Sequence, residues 1–295
     1  MNSLSRIPNY WPHRTLSRSI DVGNLRWHVQ ITGDTGPTIL LLHGTGASAH
    51  SWSEIIPKLA GHARTIVPDL PGHAFTLNAP VDSLRLHKIA SELQKLMLAL
   101  ALPGPHLVVG HSAGALLALS YAEINPEIKC IIGLNPSLVP PPASYTQFLG
   151  PLLSPLTRSS LISFALAKFA GASSMIDRLL DSTNTNLPEA RKIFYRALFS
   201  NPKHVLGAMN FMAAADITAV LNQAKACHAK LIWVLGKNDV WIPEQQLEKT
   251  IARYFPQATV IKWAGGHLMH ELEPQKTADL ILQELLLLQS AQYCL

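Results

Sequence analysis

Charged side chains are scarce in this sequence. Only 24 of its 295 residues are Lys or Arg and 19 are Asp or Glu, so that 15% of the chain is charged, where roughly 25% is usual. Hydrophobic residues reach 48%, which excludes a disordered chain and leaves apolar side chains for a pocket, a partner or a membrane face. The basic residues are scattered and form no block of five or six, so nucleic acid is not expected as a partner despite the net charge of +5.

Cysteine and long apolar runs are scarce as well. The three cysteines, Cys130, Cys227 and Cys294, are far apart and form no CxxC pair, which argues against a disulfide framework and a zinc site and favours a reducing, cytoplasmic compartment. No window of about 18 apolar residues is available to span a membrane, because Lys168 and Glu284 interrupt the best candidates. The N-terminal region has no apolar stretch typical of a signal peptide.

Motifs for bound cofactors are also absent. The sequence has no G-x-x-x-x-G-K-[ST] phosphate loop, no G-x-G-x-x-G dinucleotide motif and no H-E-x-x-H metal motif. We therefore predict a site that works without a cofactor or a metal.

The chain does contain a regular alternation of short apolar strands and amphipathic helices. Residues Ser19–Ile31 alternate around Gly23-Asn24 and indicate a hairpin. Further strands are predicted at Thr38–Leu42, Ala63–Val67, His106–Val109, Lys129–Leu134, Leu231–Leu235 and Thr259–Trp263, and helices at Ser53–Leu59, Ser83–Leu102, Ala115–Ile124, Glu244–Tyr254 and Pro274–Leu288. This alternation predicts an α/β fold whose mostly parallel central sheet carries helices on both faces.

The alternation stops after residue 136 and resumes at residue 229. The intervening segment has helical patterns separated by Pro and Ser, near Ser159–Ala170, Ser174–Leu180, Pro188–Phe199 and His204–Ala215. We therefore divide the chain into a first core part (1–136), a helical lid (137–228) inserted between two late strands, and a second core part (229–295).

A serine nucleophile is predicted at Ser112. The residues Gly110-His111-Ser112-Ala113-Gly114 match G-x-S-x-G, follow an apolar strand and precede a helix, which is the context of a nucleophile elbow. The helix start supplies N–H groups and a positive dipole end beside the serine. Without this context, the pentapeptide would be only a glycine-bounded turn that carries a surface serine.

A serine hydroxyl needs a base to take its proton, and two later strand ends supply candidates. Asp239 follows one strand, and His267 lies at the tip of a glycine-rich loop after the next. We predict His267 as the base and Asp239 as the carboxylate that fixes its tautomer and stabilises the imidazolium. The alternatives are a turn or helix-capping role for Asp239 and an ordinary loop position for His267.

Two other residues compete for these roles. Asn135 ends the strand before the lid, but an amide cannot carry the negative charge, which favours Asp239. His270 follows His267 by three residues, and we expect it to open the last helix beside Glu271 in a structural or rim position.

The reaction also needs N–H donors for a developing oxyanion. The Ala113 N–H belongs to the elbow itself. The Thr45 N–H lies in the turn His43–Gly46, which follows the strand Thr38–Leu42 in the position of an oxyanion loop. Thr45 and Ala113 are therefore the predicted oxyanion hole.

Over nearly its whole length the sequence resembles an α/β-hydrolase. The blocks that carry the resemblance are His43–Gly46, Asp69–Gly72, Gly110–Gly114, Gly236–Asp239 with Pro243, and Gly265–His267 with Pro274. The usual D-x-x-G-x-G after the fourth strand ends here in Ala74, a departure that affects that loop and leaves the predicted triad intact.

A narrower similarity links the chain to the magnesium-chelatase accessory hydrolases of bacteriochlorophyll biosynthesis. It rests on Trp11–Arg14, Ser17-Arg18, Leu25–Gln30, His43–Ser48, Pro68–His73, Gly133–Pro136 and Gly171–Leu180. The resemblance implies a phototrophic bacterium and a role near magnesium insertion into protoporphyrin, in association with magnesium chelatase. It implies no particular reaction.

The composition of the lid bears on the substrate. Most of its apolar residues are expected to pack the lid on the core and the rest to line a pocket; they are Phe148, Leu152, Leu153, Leu156, Leu161, Ile162, Phe164, Leu166, Phe169, Phe194, Tyr195, Phe199, Phe211 and Met212. Its basic residues outnumber its acids; they are Arg158, Lys168, Arg178, Arg191, Lys192, Arg196 and Lys203. Such a lid suits a porphyrin with propionates, a fatty acyl ester or peripheral contact with an anionic membrane.

Three functions remain open from the sequence. The first is a serine hydrolase acting on an ester or acyl bond of a hydrophobic small molecule, such as a tetrapyrrole. The second is a non-catalytic tetrapyrrole-binding accessory protein of magnesium chelatase. The third keeps the triad but cleaves a carbon–carbon bond or acts as a cofactor-free haloperoxidase, since one fold hosts many reactions.

Overall fold

Eight strands form one sheet within residues 7–140 and 174–292, which are the residues that the computed structural model describes. In chain order they are β1 (Ser17–Val22), β2 (Leu25–Thr32), β3 (Thr38–Leu42), β4 (Arg64–Pro68), β5 (Leu107–His111), β6 (Cys130–Leu134), β7 (Lys230–Gly236) and β8 (Thr259–Trp263). The order across the sheet is β1-β2-β4-β3-β5-β6-β7-β8. Strand β2 pairs antiparallel with β1 and β4, and all other pairs are parallel. The predicted hairpin and the mostly parallel α/β sheet are confirmed.

The helices mostly lie where the apolar periodicity predicts them. They are α1 (Ile56–Leu59), α2 (Leu86–Leu100), α3 (Ala113–Ile124), α4 (Ser174–Asp181), α5 (Glu189–Phe199), α6 (Pro202–Ala214), α7 (Ile217–Gln223), α8 (Glu244–Tyr254), α9 (Met269–Leu272) and α10 (Pro274–Gln292). The helix predicted over Ser53–Leu59 is wrong in extent, because a 3₁₀ turn at Ala49–Trp52 precedes a short α1 that has Pro57 in its first turn. Helices α7 and α9 are too short for a periodic pattern and were not predicted.

The parallel strands are buried on both faces because their side chains alternate between two apolar clusters. On β3, Leu40 and Leu42 join the cluster beneath α2 and α3, whereas Ile39 and Leu41 join the cluster beneath α1 and α10. Every position of β3, β5 and β6 is buried, which explains why these strands are continuous apolar runs in the sequence. Helices therefore cover both faces of the sheet, as predicted.

Helices α4 to α7 occupy the stretch between β6 and β7, where a helical lid is predicted. Helices α4, α5 and α6 match three of the predicted helices, while the helix predicted near Ser159–Ala170 lies outside the described residues. We call residues 174–228 the inserted helices. Their contact with the core is close, because a Cβ on Gly207 of α6 would lie 1.8 Å from the carbonyl oxygen of Gly72, so that only glycine permits it.

In the described part of the chain no single helix is long and apolar enough to cross a membrane, and α6 with residues 217–226 meets those criteria only as a pair bent by 56°.

Candidate active site

Ser112 lies at the junction of β5 and α3 in a strained backbone conformation. Its φ is 52° and its ψ is −117°, a combination that costs on the order of 1–3 kcal/mol. Gly110 and Gly114 make the turn possible, because a Cβ on either residue would lie 2.5 Å or less from backbone atoms. The chain around Ser112 therefore has the strand–turn–helix geometry of a nucleophile elbow.

Ser112, His267 and Asp239 lie together although they come from three parts of the chain. His267 Nε2 lies 3.1 Å from Ser112 Oγ, and His267 Nδ1 lies 2.7 Å from Asp239 Oδ2. All three residues are buried. Because a carboxylate only accepts hydrogen bonds, Asp239 keeps the ring N–H at Nδ1 and leaves Nε2 to accept the serine proton. The three groups could act as nucleophile, base and orienting carboxylate.

Asp239 follows β7 in a turn that its own side chain stabilises. Its Oδ1 accepts the backbone N–H groups of Trp241 at 2.8 Å and Ile242 at 3.0 Å, so Oδ2 is directed to His267. The Trp241 ring stacks on the His267 ring, with centroids 5.4 Å apart and planes at 26°. Asp239 thus combines the turn role that was its alternative with the contact to His267.

Asn135, which occupies the other strand end considered for the acid, supports the loop that carries His267. Its Nδ2 donates to the carbonyl oxygens of Gly266 at 2.9 Å and His267 at 3.0 Å, and its Oδ1 accepts the Gly236 N–H at 2.6 Å. The residue is 1% exposed and has a φ of 44°. An amide suits this position because it donates and accepts at once, whereas a carboxylate could only accept.

The link between α4 and α5 supports the same loop. The Thr183 carbonyl accepts the His267 N–H at 2.9 Å, and Thr185 Oγ1 accepts the following N–H at 3.0 Å. A Cβ on Gly266 would lie 2.2 Å from the carbonyl oxygen of Asn184. The inserted helices therefore help to position His267, a role that no motif in the sequence marks.

Thr45 and Ala113, the predicted oxyanion donors, both line the cavity that contains Ser112. Ala113 is the first residue of α3, so its N–H has no acceptor within the helix. The loop of Thr45 lies against the elbow, since a Cβ on Gly44 would lie 3.1 Å from Ser112 Cβ. The predicted oxyanion hole requires such a close approach of the two loops, and Thr45 and Ala113 stay its predicted donors.

His111 and His270 place two neutral rings beside His267. Burial, together with neighbouring histidines, lowers the pKa of His270 to about 3 and that of His111 well below its usual value. The ring centroid of His111 lies 4.2 Å from that of His270 and 4.9 Å from that of His267. His111 Nε2 donates to the His267 carbonyl at 2.9 Å. Neutral neighbours place no further positive charge beside a protonated His267.

The prediction that His270 opens the last helix is wrong, whereas its structural alternative agrees with the structure. The residue belongs to α9, a separate four-residue helix that ends before Pro274 begins α10. Its exposed fraction is 0%, which excludes a rim position. The residue packs between the rings of His111 and Trp52 and is therefore structural.

A buried carboxyl group links α9 to the inserted helices. The hydroxyl of Tyr195 on α5 donates to Glu271 Oε1 at 2.5 Å, and both residues are buried. Burial raises the pKa of Glu271 to about 7, against the opposing effects of Tyr195 and Arg191. Tyr195 also lines the cavity, so this pair connects a wall of the cavity to the core.

The cavity beside Ser112 is lined mainly by apolar side chains. Those among the described residues include Ala47, Ala113, Leu116, Val139, Leu179, Leu180, Phe199, Met212, Ala215, Ile217, Trp241, Ile242 and Leu268. Of the apolar lid residues named from the sequence, Tyr195, Phe199 and Met212 line the cavity, whereas Phe194 and Phe211 pack elsewhere. Those between Phe148 and Phe169 lie outside the described residues.

The position of the basic lid residues bears on the kind of substrate that the cavity could take. No Lys or Arg is among the described residues that line the cavity. Arg196 instead pairs with Asp177 at 2.7 Å and with Glu189, and Lys192 pairs with Asp181 at 3.0 Å, because acids on α4 and in the first turn of α5 lie within reach of these two cations. Predicted basic residues that the structure does not describe are Arg158 and Lys168.

Within the described ranges, no group of three His, Cys, Asp or Glu side chains is placed to hold a metal ion.

Ser137 was not predicted as a site residue, yet its hydroxyl lies 2.9 Å from Ser112 Oγ. It lines the same cavity and follows β6, the neighbour of the strand that carries the elbow. Polar residues at the carboxyl ends of parallel strands tend to meet at one edge of the sheet, and this is the signal that could have found Ser137.

A second chain of serine, histidine and aspartate lies near the hairpin. Ser17 Oγ lies 2.9 Å from His28 Nε2, and His28 Nδ1 lies 2.7 Å from Asp69 Oδ2. Burial by itself raises the pKa of Asp69, but His28, His43 and the Ala49 N–H outweigh it and bring the pKa to about 2. The sequence does not predict this chain, because no motif joins residues on two strands and a loop.

Comparisons with known proteins agree with the fold. Residues 39–280 match the model of the alpha/beta hydrolase family. A relative, the magnesium-chelatase 30 kDa subunit of Rhodobacter capsulatus, is 32% identical over 282 residues, which cover 94% of this chain and 96% of the relative.

Two solved structures are similar as well. A loop variant of haloalkane dehalogenase from Bradyrhizobium elkanii has a TM-score of 0.76 at 19% identity over 94% of this chain and 98% of that chain. A laboratory-evolved variant of potato epoxide hydrolase has a TM-score of 0.75 at 18% identity over 90% and 98%. At these identities the two structures show a common fold. The resemblances expected from the sequence are confirmed, and the chain belongs to the alpha/beta hydrolase family.

Proposed function

We propose that this protein is a serine hydrolase that cleaves an ester or similar acyl bond of a hydrophobic substrate. The observation that carries the proposal is the hydrogen-bonded chain from Ser112 through His267 to Asp239, which lies beside an apolar cavity. Membership of the alpha/beta hydrolase family supports it. Because this fold hosts several reactions, the side chains of the site support the proposal more strongly than the fold does.

In the proposed acylation step, Ser112 Oγ attacks the acyl carbon while His267 Nε2 takes the serine proton. The Nδ1–H hydrogen bond to Asp239 stabilises the imidazolium. The oxyanion accepts the N–H groups of Thr45 and Ala113, and the loss of one such donor typically costs about 3 kcal/mol in the transition state. His267 then gives its proton to the departing alcohol, which leaves an acyl group on Ser112.

In the proposed deacylation step, water attacks the same carbon and gives a proton to His267. The carbon–Oγ bond breaks, the proton returns to Ser112 Oγ, and the carboxylic acid leaves. The resting hydrogen bonds of the triad are then restored without a cofactor.

The wall of the cavity suits an uncharged group next to Ser112. An ionised carboxylate buried without a partner is costly, and no described Lys or Arg lines the cavity. We therefore propose that the substrate presents an apolar acyl group or an esterified side chain at Ser112, as a tetrapyrrole ester would, rather than a free acid.

A fluorophosphonate probe tests the proposal, because it reacts only with an activated serine. Wild-type protein should be labelled at neutral pH and Ser112→Ala should not. Ser17→Ala is the matched control, since it removes the serine of the second Ser–His–Asp chain and should keep full labelling. Absence of labelling in folded wild-type protein would contradict a serine hydrolase.

A second function is supported by the relative named as a magnesium-chelatase subunit. We propose that the protein associates with magnesium chelatase near magnesium insertion in bacteriochlorophyll biosynthesis. A purely accessory role would require only that the cavity bind a tetrapyrrole, which Trp241 beside His267 should report by fluorescence quenching.

Complementation of a bacterium whose pigment formation depends on this protein distinguishes the two functions. If folded Ser112→Ala still binds porphyrin and restores pigment, the role is accessory. If it binds porphyrin but fails to restore pigment, turnover is required, and the tetrapyrrole that accumulates identifies the substrate.

A further inference from the structure

We propose that Ser137 is a further catalytic residue, whose hydroxyl donates a hydrogen bond to Ser112 Oγ and promotes release of that oxygen from the acyl-enzyme. The inference rests on the proposed serine hydrolase function. It starts from the 2.9 Å distance between the two hydroxyl oxygens and from the position of Ser137 in the wall of the same cavity. Ser137 therefore touches the atom that forms and loses the acyl bond.

The direction of this hydrogen bond follows from the other bonds of the triad. Asp239 accepts from His267 Nδ1, so the neutral ring has its lone pair at Nε2. Ser112 has one hydroxyl hydrogen, and His267 Nε2 at 3.1 Å is the acceptor for it. The hydrogen between the two serines must then come from Ser137. The donors run from Ser137 to Ser112 to His267.

The backbone holds Ser137 in place for this contact. The Ser137 N–H donates to the Ser112 carbonyl at 3.1 Å, and the Ser112 N–H donates to the Leu134 carbonyl at 3.0 Å. Asn135, which lies between Leu134 and Ser137 in the chain, is hydrogen-bonded to β7 and to the His267 loop. The segment after β6 is thus joined to the elbow on both sides of Asn135, and the Ser137 hydroxyl is positioned before any substrate binds.

The effect of this donor differs between the two steps. During acylation the hydrogen bond helps Ser112 to lose its proton but also withdraws electron density from the attacking oxygen, so the two influences oppose each other. During deacylation the carbon–Oγ bond breaks and its electron pair goes to Ser112 Oγ, which then takes a proton from His267. A hydrogen bond from Ser137 stabilises that growing negative charge, and no proton leaves Ser137. The donor therefore favours deacylation over acylation.

Pre-steady-state hydrolysis of p-nitrophenyl butyrate measures both steps. The burst phase gives the acylation rate constant, and the steady-state phase gives the deacylation rate constant. In Ser137→Ala we expect deacylation to fall by about tenfold, the size expected for one hydrogen bond, and acylation to change by less than about threefold. Ser137→Cys, whose thiol is a weaker donor, should deacylate at an intermediate rate. Ser17→Ala should retain both wild-type constants.

The outcomes separate the two proposals. Unchanged constants in Ser137→Ala, or an equal fall in both, would overturn the role of Ser137 and leave the serine hydrolase intact. Absence of a burst and of turnover in wild-type protein would overturn the serine hydrolase itself. Thermal unfolding of each variant establishes that it is folded, and if Ser137→Ala does not fold, a deacylation-specific fall in Ser137→Cys supports the role and its absence overturns it.

Discussion

Two chains of serine, histidine and aspartate occur in this protein with nearly the same geometry. Their serine–histidine distances are 3.1 Å at Ser112 and 2.9 Å at Ser17, and both histidine–aspartate distances are 2.7 Å. The two serines are equally exposed, at 8%. By hydrogen-bond lengths alone, both would be predicted to be catalytic.

The difference lies in what surrounds each serine. Ser112 has a positive φ at the start of α3 and lines an apolar cavity. Ser17 begins β1 in an extended conformation with φ −72° and ψ 134°, its N–H donates to the Arg14 carbonyl, and it pairs with Gln30. A nucleophile needs room for a substrate and free N–H donors for an oxyanion. We therefore expect the chain at Ser17 to stabilise the fold and the chain at the elbow to be the one suited to catalysis.

Substitution of the two aspartates should give the largest difference in kcat between the two chains. Asp239→Asn favours the wrong tautomer of His267, and we expect kcat for ester hydrolysis to fall by about 10⁴-fold. Its stability should change little, because the Asn oxygen can still accept the N–H groups of Trp241 and Ile242. Steady-state kinetics and urea unfolding measure the two effects. A variant with near wild-type kcat would remove Asp239 from the proposed triad.

Asp69→Asn should show the reverse pattern. Asp69 accepts N–H groups from Ala49 and Phe75 as well as from His28, so the amide leaves one of these donors unpaired, and we expect a loss of about 2 kcal/mol in the free energy of unfolding at neutral pH. Turnover per folded molecule should stay close to that of wild type. A large fall in kcat without a loss of stability would make the second chain catalytic too.

The same variant should alter the response to acid. The folded pKa of Asp69, about 2, is below its unfolded value near 3.9, so its ionised form contributes stability above about pH 4 that is lost as the pH falls toward 2. Urea unfolding between pH 2 and 7 should therefore show a steeper decline in wild-type protein than in Asp69→Asn. Parallel curves would show that Asp69 does not titrate in this way.

The smallest effect is expected for Ser17→Ala. The change removes one hydrogen bond to His28 and should lower the free energy of unfolding by about 1 kcal/mol, with no change in fluorophosphonate labelling. A loss of labelling comparable to that of Ser112→Ala would end the distinction between the two chains.

Much of the architecture could be predicted from the sequence because strands and helices depend on patterns of residues that are close together in the chain. Buried parallel strands appear as apolar runs, and helix α8 has the predicted bounds Glu244–Tyr254 because its apolar residues recur at helical spacing. Ser112 could be singled out because the elbow is a local structure. Ala74 stands where the family pattern has glycine and takes a φ of 43°, a conformation that glycine adopts at lower cost.

The features that the sequence left open or misplaced concern contacts between distant segments. The sequence left open whether the basic lid residues face the pocket, and the structure pairs Arg196 and Lys192 with acids of α4. His270 was expected to open the last helix in a structural or rim position, and it lies in the separate helix α9, buried against His111. Charge and polarity in the sequence indicate which groups need partners, but not which partners the fold supplies.

The sequence by itself therefore determined the order of strands and helices, the glycines of the elbow and the residue types available for catalysis, because each depends on neighbours within a few positions. Only the tertiary structure decided which serine faces a cavity. It also placed Asn135 and Thr183 on the loop of His267, and Ser137 on Ser112 Oγ. The physical reason is distance along the chain: Ser112 and His267 are 155 positions apart, and packing of the whole sheet and its inserted helices, rather than any local preference, brings them within 3.1 Å.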